Sequence, residues 1–190
     1  MILLSSYGLC SPVVANKAKQ YINPRDMKVL VIPFAGFNNA STASREIDKG
    51  LVPFGFSLDN ICVLDVNNPG LCTNSTYDMI YVPGGNPFKL LSLAQECNVV
   101  GWIANEVKNG ALYFGISSGA DFACENIEYL KLVDECNLEL TDFNALGLIK
   151  EKVLCHVDQR DMATLQRVRD YDERRTIFLR NDELYAIHLQ

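Results

Sequence analysis

Short apolar runs alternate along this chain with segments whose apolar residues recur three or four positions apart. Residues 2–5, 28–33, 61–64, 77–82 and 111–116 are apolar without strict alternation, the pattern of strands covered on both faces. Between them, residues 13–21 predict a short helix. Thr42 or Ser44 is placed to cap another, which Gly50 and Pro53 shorten or break. Phe88, Leu90, Leu91 and Leu93 mark a helix after Pro87. Val99, Ile103 and Val107 share one face of a helix over 98–108 that Asn109-Gly110 terminates. This alternation predicts a doubly wound α/β layer, which binds ligands at loops on the carboxyl ends of its strands.

The last third is less regular. Residues 122–128 are expected to continue a helix begun after the fifth strand. Leu138 and Leu140 alternate with acids, so 131–141 is expected to hold a short strand or an excursion. Residues 153–155 predict a strand with His156 at its end, and 161–169 a helix. Residues 176–179 and 184–188 predict two strands of a hairpin turning at 180–183. With no repeat, linker or low-complexity tail, a single domain over 1–190 is expected.

Composition narrows the class. A chain of 190 residues, 48% apolar and 21% charged, buries a sizeable core. Its net charge of −6 argues against a nucleic-acid footprint. No apolar run approaches the roughly 18 residues of a membrane span. Met1-Ile2-Leu3-Leu4-Ser5-Ser6 lacks a basic region and reads as a first strand rather than a signal peptide, so a cytoplasmic protein is expected. The seven cysteines are odd in number, widely spaced and without a C-x-x-C, which suits reduced thiols packed as small hydrophobes. Only two histidines are present and no metal-ligand spacing occurs, so neither metal nor cofactor is expected.

The fifth strand runs into Gly115-Ile116-Ser117-Ser118-Gly119, a G-x-S-x-G. Small residues at a tight strand-to-helix turn allow a nucleophile to stand above the sheet edge, with the next amide, Ser118 N–H, facing developing negative charge. The same pattern also fits an ordinary βα turn. A serine needs a base. His156, in a loop at a strand end, is the candidate; His188, near the C-terminus, reads as structural. Asp121, Glu125, Glu128, Asp134, Glu135, Glu139 and Asp142 lie between serine and histidine, and Asp158 and Asp161 just beyond; spacing does not choose among them. Pro83-Gly84-Gly85-Asn86-Pro87 offers a second oxyanion amide, or merely a rigid turn with Asn86 capping a helix. Cys124 lies off the turn, which disfavours thiol chemistry.

Together, Tyr81-Val82-Pro83-Gly84-Gly85-Asn86-Pro87-Phe88-Lys89-Leu90-Leu91 and Gly115-Ile116-Ser117-Ser118-Gly119-Ala120-Asp121 resemble the peptidase E group of serine peptidases, the S51 family of aspartyl dipeptidases and cyanophycinases. Ala35-Gly36 and Ala145-Leu146-Gly147-Leu148-Ile149 extend the resemblance over essentially the whole chain. It implies a class I glutamine amidotransferase-like fold, a relative of the flavodoxin-like fold: three layers, a mostly parallel sheet with helices on both faces, and a nucleophile elbow after a central strand. It implies Ser117 as nucleophile, His156 as general base, and Gly85 and Ser118 as oxyanion amides. Asp134, seventeen residues beyond Ser117, resembles the third group, with Glu128, Asp142 or no acid as alternatives. The implied substrate is a short peptide with N-terminal aspartate, met by Gly84, Asn86, Asp121 and Arg160, the last as the cation for its carboxylate. No cofactor, nucleic acid or membrane is implied, and the protein would be a monomer or homodimer. The chain departs from the family pattern at Ser118 (usually alanine), Asp121 (often asparagine), Cys155 (usually proline) and Val157 (often aromatic). These departures leave open a diverged domain that keeps the elbow as scaffold and binds a small ligand or partner.

Overall fold

A computed structural model describes residues 1–36 and 38–188; Phe37 and residues 189–190, the first within a stretch the sequence reads as a loop, lie outside the described residues. In chain order the elements are β1 (Ile2–Ser5), α1 (Pro12–Ala18), β2 (Val29–Val31), α2 (Asn39–Glu46), α3 (Val52–Phe54), β3 (Ile61–Val63), α4 (Gly70–Thr73), β4 (Met79–Val82), α5 (Pro87–Glu96), α6 (Val100–Lys108), β5 (Leu112–Ile116), α7 (Ser118–Asp121), β6 (Lys152–Leu154), α8 (Met162–Arg169), β7 (Thr176–Phe178) and β8 (Leu184–Ile187). Six strands form one sheet in the order β3-β2-β4-β5-β1-β8, parallel throughout except that β8 runs antiparallel to β1. This is the mostly parallel α/β sheet that the alternation of runs predicts.

Both faces are covered over β1, β2, β4 and β5, which explains the missing polar alternation there, whereas the edge strand β3, expected to be covered too, leaves Cys62 and Val63 exposed. On one face Ile80, Val82 and Tyr113 pack with Phe88, Leu91 and Ile103 of α5 and α6. On the other, Tyr81, Leu112 and Phe114 pack with Val14, Ala18 and Ala43 of α1 and α2. Successive side chains of β5 thus enter opposite cores. Full burial of one such aromatic contributes about 1.5–3 kcal/mol. The strand between these cores is the rigid support on which Ser117 stands.

A second, two-stranded parallel sheet pairs β6 with β7 around α8. The expected hairpin between the last two strands does not form. β7 takes the edge of β6, whereas β8 crosses to the free edge of β1, so the residues between them bridge two sheets. The helix expected over 122–128 also stops early. The carbonyls of Phe122 and Ala123 accept from Leu146 and Leu148 rather than from residues one turn on, and Cys124 bridges to Ile149. Residues 131–141 form no strand. The cap of α2 is Asn38, whose Oδ1 accepts from Ser41 N–H at 3.1 Å, and the helix runs on through a π turn (Ile47–Leu51) into α3.

The small sheet is anchored by a buried cation. Lys152, at the first position of β6, is fully buried. Its ammonium donates to the carbonyls of Arg169 and Asp172 at 3.0 and 3.1 Å and pairs with Asp172 Oδ1 at 3.0 Å. Arg174 closes the pair from the other side at 2.6 Å. Burial, the largest single influence, pushes the Asp172 pKa up, but the hydrogen bonds from Arg174 and Lys152 together outweigh it and hold it at about 2. Because the folded value is depressed, this stabilisation is present above the unfolded carboxylate pKa of about 4 and is lost as pH falls toward 2. Asp172→Asn is therefore expected to lower stability at neutral pH by about 1–3 kcal/mol and to flatten the acid limb of the stability profile, as read by urea unfolding across pH.

Candidate active site

Ser117 joins β5 to α7. Its N–H donates to Ser5 O at 2.8 Å, while its own carbonyl accepts from Ala120 and Asp121 at 2.7 and 3.1 Å. The residue sits at φ 51°, ψ −117°. Such a backbone is uncommon for a non-glycine residue and costs about 1–3 kcal/mol. Close passage is part of the turn: a Cβ on Gly119 would come within 2.0 Å of Val82 O. The result is a strand-to-helix elbow that exposes the Ser117 hydroxyl above the carboxyl end of the sheet.

His156 reaches the same place from the small sheet. It follows β6 with φ 56° and ψ 37°, and its N–H donates to Ser6 Oγ at 3.1 Å. Among the described residues three non-glycines have positive φ, and Ser117 and His156 are two of them. His156 Nε2 lies 3.0 Å from Ser117 Oγ. Its Nδ1 lies 2.9 Å from Asn181 Oδ1. An amide oxygen at Nδ1 selects the tautomer protonated there, which leaves the Nε2 lone pair to accept the Ser117 hydroxyl proton. Tyr7 packs its ring 5.2 Å from the imidazole and takes a hydrogen bond from Gln159 on its hydroxyl.

The group behind the ring is thus Asn181, and neither Asp134 nor any other carboxylate from the sequence reading. Asn181 was hidden because it is not an acid and because it enters from the β7–β8 connection, which the sequence suggests is a hairpin turn. Its own N–H is held by Asp158 Oδ2 at 3.1 Å. Glu128 pairs with Lys131, Asp142 accepts from Asn144 N–H, and Asp161 caps α8. His188 is exposed. Asp134 sits near Asp121 and Arg160. Burial raises its pKa, and the charges of Arg160 and His156 partly oppose that rise.

Asp121, Asp134 and Arg160 do not line the cavity beside Ser117. Asp121 is buried on α7 and its Oδ1 has no hydrogen-bond partner. Burial pushes its carboxyl well above the usual carboxylate range; Asp134 adds to the rise and Arg160 opposes it. Arg160 donates Nε–H to Cys155 O at 3.2 Å. Asn86 caps α5, its Oδ1 accepting from Phe88 and Lys89 N–H at 3.0 and 2.9 Å while Nδ2 donates to Glu135 O. Of the residues expected to meet substrate, Gly84 lines the cavity, whereas Asp121 is buried, Arg160 is half-buried with its Nε–H on Cys155 O, and Asn86 caps α5.

The cavity itself has a volume of about 450 Å³ and is bounded by Tyr7, Arg45, Lys49, Gly84, Gly85 and the Ser117–His156 pair. Arg45 donates Nε–H and Nη2–H to Glu46 Oε1 at 3.1 and 2.7 Å, and buried Glu46 also accepts from Tyr81 Oη at 3.0 Å. Lys49 is exposed one turn further on. Cys10 also lines the cavity, with its thiol pushed up to about 11 by burial and by Glu46, which makes it a poor nucleophile. Gly85 has φ +149°, and a Cβ there would meet Ala35 O at 2.0 Å. Its N–H donates to Ser118 Oγ at 3.1 Å, and Ser118 Oγ donates to Gly85 O. Among the described residues no group of three or more His, Cys, Asp and Glu is placed to hold a metal, and no helix is long and apolar enough to cross a membrane.

Comparison with known proteins identifies the family and the fold. The sequence profile of peptidase family S51 matches residues 1–190. Peptidase E of Salmonella arizonae is 33% identical over 148 residues, 76% of this chain and 59% of that protein. Peptidase E of Salmonella paratyphi A is 34% identical over the same shares. The chain thus spans 59% of the length of these curated relatives. A crystal structure of a putative peptidase E from Listeria monocytogenes superposes with a TM-score of 0.78 at 25% identity, covering 96% of this chain and 91% of that one. A peptidase from an acI-B1 actinobacterium shares the fold at a TM-score of 0.55 and 17% identity, over 93% of this chain and 78% of that one.

The raised pKa of Asp121 fixes a sign for its effect on stability. The stabilisation of the neutral acid is fully present below the unfolded pKa of about 4 and declines as pH rises toward the folded value. Asp121→Asn removes that titration. The variant is expected to gain stability over the parent increasingly from pH 4 to pH 8, measured as the urea midpoint; a constant difference across that range would contradict the assignment.

Proposed function

The chain belongs to peptidase family S51, and on that premise we propose that it hydrolyses short peptides through a Ser117 acyl-enzyme with His156 as general base. The observation that carries this reading is the 3.0 Å contact between Ser117 Oγ and His156 Nε2 on two positive-φ residues from different sheets. As Oγ bonds to the peptide carbonyl carbon, its proton passes to Nε2. The carbonyl oxygen becomes an oxyanion, met by Ser118 N–H, which has no intrahelical partner at the start of α7, and by Gly85 N–H. Collapse breaks the C–N bond, and the leaving amine takes the proton from Nε2. Water then attacks the ester, loses a proton to Nε2, and the acid product leaves as that proton returns to Ser117. General-base transfer typically contributes about 10²–10⁴ in rate, and each oxyanion donor about 10²–10³.

Asn181 gives this scheme its particular character. Its amide oxygen orients the ring but carries no charge to stabilise the imidazolium, as a carboxylate would. For substrate, we propose a dipeptide with N-terminal aspartate. The finer choice is supported by Arg45 and Lys49 on the cavity wall, which take the place Arg160 was expected to fill. Two guanidinium N–H vectors of Arg45 go to Glu46, which leaves others for a substrate carboxylate.

A fluorophosphonate probe should label Ser117 stoichiometrically. Labelling should vanish in Ser117→Ala and His156→Ala and slow by about 10² in Asn181→Ala, where the ring loses its orientation. No labelling of the folded parent would leave only a binding domain. Lys49→Ala should raise KM for an aspartate-initiated dipeptide about tenfold with kcat little changed. An unchanged KM in steady-state assays would remove aspartate recognition by this residue.

A further inference from the structure

We propose that Ser118 is a positioning residue whose hydroxyl latches the Gly85 amide in the resting molecule, and that this hydrogen bond must be released for Gly85 to serve an oxyanion; the inference rests on Ser117 being the nucleophile. The hydroxyl engages a single residue twice. It accepts from Gly85 N–H at 3.1 Å and donates to Gly85 O. Ser118 is 2% exposed, so a hydroxyl there must find partners inside the protein, and Gly85 supplies both. An alanine at this position would supply no acceptor.

The opposite side of the segment is fixed by different contacts. Asn86 N–H donates to Ala35 O at 2.8 Å, and the Gly85 Cα is so close to that carbonyl that no side chain fits. The Gly85–Asn86 peptide is therefore held between Ala35 O and the Ser118 hydroxyl, which also takes the N–H of the Gly84–Gly85 peptide, while both glycines face the cavity. Of the two amides available to an oxyanion, Ser118 N–H stands at a helix start without an intrahelical acceptor, and Gly85 N–H is already satisfied.

Charge decides which acceptor wins. A hydrogen bond to a charged oxygen is stronger than one to a neutral hydroxyl. As the oxyanion forms, it takes the Gly85 N–H from Ser118 Oγ. The hydroxyl keeps its donated bond to Gly85 O, and the two consecutive glycines allow the small peptide rotation. Losing one neutral hydrogen bond on the way to the transition state slows the reaction on the order of three- to tenfold.

The test compares the parent with Ser118→Ala, and with Ser118→Gly as a second way to delete the hydroxyl. Deletion should raise kcat and the rate of fluorophosphonate labelling about three- to tenfold with KM little changed, and should tighten a peptide boronate similarly. Amide exchange at Gly85, followed by NMR, should accelerate about tenfold in both variants. Folding is monitored by thermal melting. Unchanged or slower labelling by both folded variants, or unchanged Gly85 exchange, overturns the latch while leaving the hydrolase reading intact, provided the parent labels at Ser117. A parent that does not label at all overturns the hydrolase reading and the latch with it.

Discussion

One residue has to serve two hydrogen-bond ladders. The Ser117 amide continues the β1–β5 pairing by donating to Ser5 O, and its carbonyl opens α7 by accepting from Ala120 and Asp121. The chain meets both demands at φ 51°, ψ −117°, and the same twist that reconciles them throws the side chain clear of the sheet. The strain is local, but its support is not. β5 is held by β1 on one side and β4 on the other, with Tyr113 and Phe114 locked into opposite cores. A backbone strained by a few kcal/mol persists only where its surroundings leave no easier alternative.

The same device is used a second time at His156. The short β6–β7 sheet delivers it at φ 56°, and buried Lys152 fixes the start of that sheet against Asp172. Ser6 ties the two sheets together: its hydroxyl donates to Leu179 O and accepts from His156 N–H. Because β7 ends beside β6, the following residues bring Asn181 onto the imidazole. Serine, imidazole and amide thus come from the ends of three strands in two sheets. Their mutual geometry is a property of how the sheets meet, not of any one segment.

Charge is distributed unevenly around this centre. The chain as a whole carries −6, yet the groups that reach the cavity include Arg45 and Lys49, with Glu46 turned inward to Arg45 and Tyr81. None of the acids of the elbow region is the hydrogen-bond partner of the imidazole Nδ1. Asp121 is buried with a carboxyl that favours its neutral form, Asp134 is near Arg160, and Asp158 holds the Asn181 backbone rather than the ring. Overall acidity therefore says nothing of the cavity, because electrostatics at this range depend on which few side chains face one another.

The sequence by itself determined what local sterics and periodicity control. The two-sided apolar runs fixed a covered, mostly parallel sheet, and the small residues about Ser117 marked the elbow. A histidine at the end of residues 153–155 stood out because only one other exists in the chain. Tertiary structure alone decided the rest. That β8 pairs with β1 rather than β7, that α7 stops at Asp121, and that an asparagine rather than Asp134 meets the ring all depend on partners more than twenty residues away. The Ser118 hydroxyl belongs with them. Its residue type is visible in the motif, but its bond to Gly85, 33 positions upstream, exists only because two strand ends are adjacent in the sheet. Hydrogen-bond partners of that kind are chosen by strand order, which short local patterns do not specify.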